Sequence, residues 1–163
     1  MASFDNIIAE HHPILYKIAR TYTHDEQDFN DLYQEMLIQV WKARDTFRSE
    51  SKMSTFLYRV CLNTAMTWTR NETRRKKRFL RAEVEPAATP QDLTRKQQVE
   101  QLYAVIRELR KDQRSLVLLY LDGKKYEEIA EILGISVSNV GVRINRLKKH
   151  LAQRMQSLSH ELA

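Results

Sequence analysis

The sequence predicts an all-α protein made of two small helical domains joined by a flexible linker. Three observations carry this. Only three Gly and three Pro occur in 163 residues, too few turn-makers for an all-β fold. Apolar residues recur at three- and four-residue steps through most of the chain, and no run alternates with the period of a strand. Two of the three prolines, Pro86 and Pro90, fall together in the aperiodic stretch 82–94, which has the composition of an exposed linker. A chain of this length can bury only one or two modest cores, which excludes a large multi-domain enzyme.

The first element spans 4–22, with apolar side chains at Phe4, Ile7, Ile8, Leu15, Ile18, Ala19 and Tyr22; Pro13 is expected to kink or restart it. The second is cleaner, because Phe29, Leu32, Tyr33, Met36, Leu37, Val40 and Trp41 keep helical spacing over more than three turns. A polar loop, Arg48 to Lys52, follows Phe47. Ser54 then precedes a third helix through Phe56, Leu57, Val60, Cys61, Ala65 and Trp68, which ends in the basic tract Arg74-Arg75-Lys76-Lys77-Arg78. These elements make a domain over 1–81, with the linker at 82–94. The second domain, 95–163, holds four helices: Val99 to Leu109, Leu116 to Leu121 ending at Asp122-Gly123, Tyr126 to Leu133, and a last one through Val140, Ile144, Leu147 and Leu151.

The net charge of +6 is unevenly spread: residues 1–41 carry −5, 42–81 carry +9, 82–135 carry −2 and 136–163 carry +4. Two separate basic blocks suggest two contacts with an anionic partner, and the acidic blocks a surface for something else. The longest apolar runs fall far short of the roughly 20 residues of a membrane span, and the N-terminus lacks the pattern of a secretion signal. A cytoplasmic protein is expected, consistent with a single cysteine, Cys61, that cannot form an internal disulfide.

The segment Glu127 to Ser136, followed by Val140 and Ile144, has the grammar of a helix-turn-helix. Ala130 lets two crossing helices approach, Gly134 permits a left-handed turn residue, Ile135 plugs the corner and Ser136 caps the second helix. The outer face of that helix offers Ser138, Asn139, Arg143, Arg146 and Lys149, donors suited to base edges and phosphates. An ordinary helical hairpin with solvated lysines would share the apolar pattern, but not the coincidence of turn, small residue and basic face. In 52–78, Phe56, Tyr58 and Trp68 interleave with Lys52, Arg59, Arg70 and the basic run, a mixture that tracks phosphates and holds unstacked bases, although core aromatics beside a solvated helix end would read the same way. The acidic face Asp31, Gln34, Glu35 would, alone, simply meet water.

The run Asp31-Leu32-Tyr33-Gln34-Glu35, then Trp41-Lys42-Ala43 and Phe47, then Ser54 to Asn63, resembles region two of the bacterial sigma factors of the short extracytoplasmic-function (ECF) group. Residues 109–151, from Leu109-Arg110-Lys111-Asp112-Gln113-Arg114 to Arg143-Ile144-Asn145-Arg146-Leu147, resemble region four of the same group. Order, spacing and linker match over nearly the whole chain. The resemblance implies a sigma factor that binds core RNA polymerase and directs promoter-specific transcription initiation. Asp31, Gln34 and Glu35 would dock the clamp coiled coil of the largest polymerase subunit. Lys52, Ser54, Thr55, Phe56, Arg59, Asn63, Arg70, Arg74 and Arg75 would engage the minus-ten element and its melted strand. Ser136, Ser138, Asn139, Arg143, Arg146 and Lys149 would read the minus-thirty-five element, and the apolar helix 115–121 would meet the polymerase flap. An anti-sigma factor is a further partner implied by the group, although no residue announces one.

Several residues depart from the group's usual pattern: Phe56 stands for Trp, Leu62 for Arg, Asn139 for Thr, Gly141 and Val142 for positions often basic and hydroxylated, and Arg110 for a helix-breaking Pro. The last exchange is expected to make the junction at 110 more continuous. No catalytic constellation appears: the five histidines do not pair with Cys or carboxylates at metal-ligand spacing, and no glycine-rich phosphate loop exists, so no cofactor, metal or small-molecule substrate is expected. The rivals are a stand-alone helix-turn-helix repressor or activator with a dimerising first half, and a recombinase, which would need a nucleophile that is not found.

Overall fold

The computed structural model describes residues 3–78 and 95–161, the side chains of 72–78 apart. Among these residues every regular element is helical: α1 (Phe4–Tyr22), α2 (Glu26–Ala43), a 3-10 turn (Arg44–Thr46), α3 (Met53–Arg78), α4 (Arg95–Glu108), α5 (Lys111–Leu121), α6 (Tyr126–Leu133) and α7 (Val137–Glu161). The expected all-α class holds. The expected linker, 82–94, lies outside the described residues.

Ser3 opens α1 by accepting the Asn6 N–H at 3.3 Å, and Asp25 opens α2 by accepting the Asp28 N–H at 2.7 Å. Of the kink or restart expected at Pro13, the restart does not occur: α1 runs through it. The ring's fixed φ suits a helix, and Ala9, whose carbonyl a proline at 13 cannot serve, is an exposed residue, so the lost hydrogen bond falls on the solvent side of the helix. The buried stripe begins immediately after it, at Ile14 and Leu15. In α2 only Leu32, Met36 and Val40 of the apolar stripe are fully buried, while Trp41 stays 49% exposed.

The junction at Arg110 is not continuous. Arg110 adopts φ −64° with an extended ψ of 155°, a proline-like conformation without the ring. Arg114 makes the break stable by donating through Nε to the Leu109 carbonyl at 2.8 Å and through Nη2 to the Arg107 carbonyl at 2.6 Å, so the last carbonyls of α4 are satisfied from α5.

α1, α2 and α3 pack on one another, and α7 collects α4, α5 and α6. Leu15, Ile18, Leu32, Met36, Leu57 and Leu62 fill the first group; Leu116, Leu119, Ile129, Val140 and Ile144 fill the second. The two groups also touch each other, α1 against α4 and α5, and α3 against α6, so that one cluster of buried side chains runs through both.

Candidate nucleic-acid and polymerase interfaces

The helix-turn-helix forms as the residue pattern anticipates. Gly134 takes φ +67° and ψ 35°, and the N–H groups of Gly134 and Ile135 both return to the Ala130 carbonyl, at 2.9 and 3.2 Å. Ser136 Oγ then accepts the Asn139 N–H at 3.1 Å and starts α7. Val140, Ile144 and Leu147 turn inward, which leaves Ser136, Ser138, Arg143, Arg146 and Lys149 exposed and Asn139 half-buried. Arg143 is already oriented: its Nε donates to Asn139 Oδ1 at 3.0 Å, and its guanidinium lies 3.8 Å from Asp112. Asp112 in turn accepts from Arg110 at 3.1 Å, and Arg110, Arg143, Arg146 and His150 line one groove beside it.

The exposed side chains of Lys52, just before α3, and of Arg59, Asn63 and Arg70 on it follow helical spacing, with half-buried Phe56 among them. The Phe56 ring lies 5.2 Å from that of Phe47, so the loop after α2 is pinned to the start of α3. Ser54 is half-buried. Thr55 is only 3% exposed and belongs to the core side of the helix, away from this stripe. Arg74 and Arg75 fall in the last turns of α3, and their side chains lie outside the described residues.

On α2, Asp31 and Gln34 are exposed, and Glu35 is half-buried, accepting from Gln39 Nε2 at 2.8 Å. Glu35 and Gln39 line a groove with Asn63, Thr64 and Trp68 of α3, so the acidic face and the basic stripe meet along it. Two residues of this face were missed by the sequence reading. Ile38 is 46% exposed and lies one helical turn on from Gln34 and Glu35, and Trp41, 49% exposed, lies one turn beyond Ile38 on the same face. The available signal was a surplus of apolar residues in α2 beyond what one buried face can take. Trp41 is held by an edge-to-face contact with Phe4 at 4.9 Å and by Arg44, stacked 3.9 Å over its ring.

A further apolar groove runs between α4, α5 and α7, lined by Leu102, Val117, Tyr120, Leu121, Leu151 and Met155 among others. The described residues contain no cluster of His, Cys, Asp or Glu able to hold a metal, and no helix long and apolar enough to cross a membrane.

Residues 7–75 match the family model of Sigma-70 region 2, and residues 99–151 that of Sigma-70 region 4. The ECF RNA polymerase sigma-E factor of Escherichia coli K12 is 31% identical, over 80% of this chain and 75% of that protein. This chain is a sigma factor of the sigma-70 family, in its ECF group. The RNA polymerase sigma-H factor of Pseudomonas aeruginosa is 28% identical over 98% of this chain and 89% of its own length. Among solved structures, the Bartonella quintana sigma factor RpoE, crystallised with the anti-sigma factor NepR, shares the fold with a TM-score of 0.73 at 22% identity, covering 94% of this chain and 96% of that one. CnrH, in complex with the cytosolic domain of CnrY, follows with a TM-score of 0.64 at 22% identity, covering 98% and 89%.

As a sigma factor the chain binds core RNA polymerase and promoter DNA and directs promoter-specific transcription initiation. The stand-alone repressor or activator is not favoured, because the first half is accounted for by region 2 rather than by a dimerisation domain. Sigma factors of this family regulate initiation by binding rather than by catalysing a reaction.

Proposed function

We propose that the three surfaces divide the work of a two-element promoter factor. Asp31, Gln34 and Glu35, with Ile38 and Trp41 beside them, dock the clamp coiled coil of polymerase. An acidic rim around exposed apolar side chains supports this, since charge steers the encounter and buried aromatic area holds it. Lys52, Phe56, Arg59, Asn63 and Arg70 engage the minus-ten element, with Arg74 and Arg75 extending the same helix along the backbone. Ser54 lies at the edge of this surface, and Thr55 supports it from the core. Ser136, Ser138, Asn139, Arg143, Arg146 and Lys149 read the minus-thirty-five element, while the apolar groove of α4, α5 and α7 receives the polymerase flap.

The first domain is taken as 1–81, the second as 95–163, and 82–94 as the tether between them. The chain works in the cytoplasm, where its polymerase is, and has no catalytic step, cofactor or small-molecule substrate of its own. An anti-sigma factor is a further partner, a reading supported by the structural relative RpoE, which was crystallised in complex with the anti-sigma factor NepR.

The observation that carries the reading is the pairing, in one chain, of a preoriented arginine on an exposed helix-turn-helix with a separate basic and aromatic stripe on α3. Core binding tests its first part. Asp31→Lys with Glu35→Lys is expected to abolish binding to core polymerase in a pull-down or by anisotropy, with helicity by circular dichroism unchanged. Full binding by the double variant would return α2 to an ordinary solvated face.

A further inference from the structure

The outward face of α7 is set by its inward one. Val140, Ile144 and Leu147 are buried, and a helix turns about 100° per residue, so the direction opposite to them falls on Ser138, Val142, Asn145 and Lys149. All four are exposed. Val142 lies at the centre of this stripe, 50% exposed, with Asn145 and Arg146 one turn on. Among the described residues it belongs neither to the buried cluster nor to the apolar side chains packed against it, so the fold makes no use of its methyl groups.

The polar neighbours frame this centre. Arg143 is tied to Asn139 Oδ1 at 3.0 Å and stands 3.8 Å from Asp112 of α5, and the hydroxyls of Ser136 and Ser138 are 3.2 Å apart. Beside Val142, Gly141 has neither a positive φ nor a clash that would demand glycine, since an added Cβ meets Tyr126 at an ordinary 3.6 Å. Its effect is to keep the surface next to Val142 low, which lets another molecule approach the backbone closely. In the major groove thymine presents a C5-methyl group, and adenine an N7 acceptor beside an N6 donor. A valine gains by covering the methyl group, but would leave the polar edges of guanine or cytosine unpaired. An asparagine amide matches N7 and N6 of adenine in a bidentate pair. Val142 and Asn145, three residues apart on one face, have Cβ atoms about 5–6 Å apart, within reach of one base pair or of its neighbour about 3.4 Å along the stack.

We propose that Val142 and Asn145 determine the sequence preference at the centre of the upstream element: Val142 packs on a thymine C5-methyl group and Asn145 pairs with N7 and N6 of an adenine. The proposal rests on the reading that α7 enters the major groove at the minus-thirty-five element, and adds which side chains select there and by which atoms. Arg146 and Lys149 then flank an A·T-selecting centre rather than supplying the whole preference themselves.

The full-length chain assembled with core polymerase is assayed by run-off transcription, first over a library randomised through the upstream element. Synthetic promoters then carry deoxyuridine in place of each selected thymine, or 7-deazaadenine in place of each selected adenine, which removes only the methyl group or only N7. For the wild-type chain, deoxyuridine at one position is expected to lower initiation about fourfold, the worth of one buried methyl group. The 7-deazaadenine promoter should lose about fivefold, from half of a bidentate pair. Val142→Ala should show the first loss already on thymine, with no further loss on deoxyuridine, while keeping its full response to 7-deazaadenine. Asn145→Ala should behave in the converse way. Both substitutions put a better helix former at an exposed site, so the fold is expected to survive them. A deoxyuridine loss that persists undiminished in Val142→Ala, or a wild type indifferent to deoxyuridine, would overturn the role of Val142; the same outcomes with 7-deazaadenine would overturn that of Asn145. A library that selects only G·C pairs would sink the proposal and leave α7 as the reading helix. A library with no upstream preference at all would sink both.

Discussion

Two glycines of the helix-turn-helix should respond to the same substitution with opposite signs. At Gly134 the backbone has φ +67°, and a Cβ added there would meet nothing within 4 Å. Gly134→Ala therefore costs only the left-handed strain of an L-residue, about 1 kcal/mol. At Gly141, inside α7, the backbone is helical, and a Cβ would lie 3.6 Å from Tyr126 Cε2 and 3.9 Å from Cδ2, ordinary van der Waals contact. Gly141→Ala therefore gains the helix propensity that glycine forfeits, about 0.8–1.0 kcal/mol, with no clash to offset it. For a chain of 163 residues each change corresponds to roughly 2–4 °C in Tm, downward at Gly134 and upward at Gly141. Thermal unfolding followed by circular dichroism, with urea unfolding as a second measure, separates the two. A loss of stability in Gly141→Ala would refute the reasoning, because it would mean that the Tyr126 ring does not tolerate the methyl group or that α7 depends on flexibility at this point.

The reading helix makes a second test. Arg143→Ala and Arg146→Ala should each cost about 1–3 kcal/mol of discrimination at one upstream position in run-off transcription over a randomised promoter library, whereas Lys149→Ala should weaken all sequences alike. Uniform losses for all three would assign the helix to phosphates only. Asn139→Ala should lower the same preference as Arg143→Ala without adding to it, since Asn139 accepts from Arg143 Nε at 3.0 Å; additive effects in a double-mutant cycle would show that the two act separately. Cys61 is fully buried, and burial pushes its thiol up to about 12, so Ellman's reagent at pH 8 should react about a hundredfold or more slowly in the native chain than in urea. Rapid native reaction would show that α3 opens locally.

The helix positions, the turn at Gly134 and the exposed basic face of α7 were legible in the sequence because each is a local property. Periodicity, a residue able to take a positive φ and a serine in cap position all act within one or two turns of chain. The same local logic failed where a residue's neighbours come from elsewhere in the chain. Pro13 does not end α1, since Ala9, whose carbonyl it cannot serve, is exposed, and Arg110 ends α4 without a proline because Arg114 of the next helix donates to the last carbonyls. Ile38 and Trp41 could not be separated from the buried stripe of α2, since which of several adjacent apolar residues is covered depends on where α1 and α3 come to lie. Asp122 is the extreme case. In the sequence it is a helix end followed by glycine, and only the tertiary structure joins it to Lys17 and Tyr58, 105 and 64 residues away. The sequence by itself determined the helices, the two exposed basic patterns and the family. Packing decided which parts of those faces are free, because burial and long-range pairing are properties of the folded chain and have no period to be read.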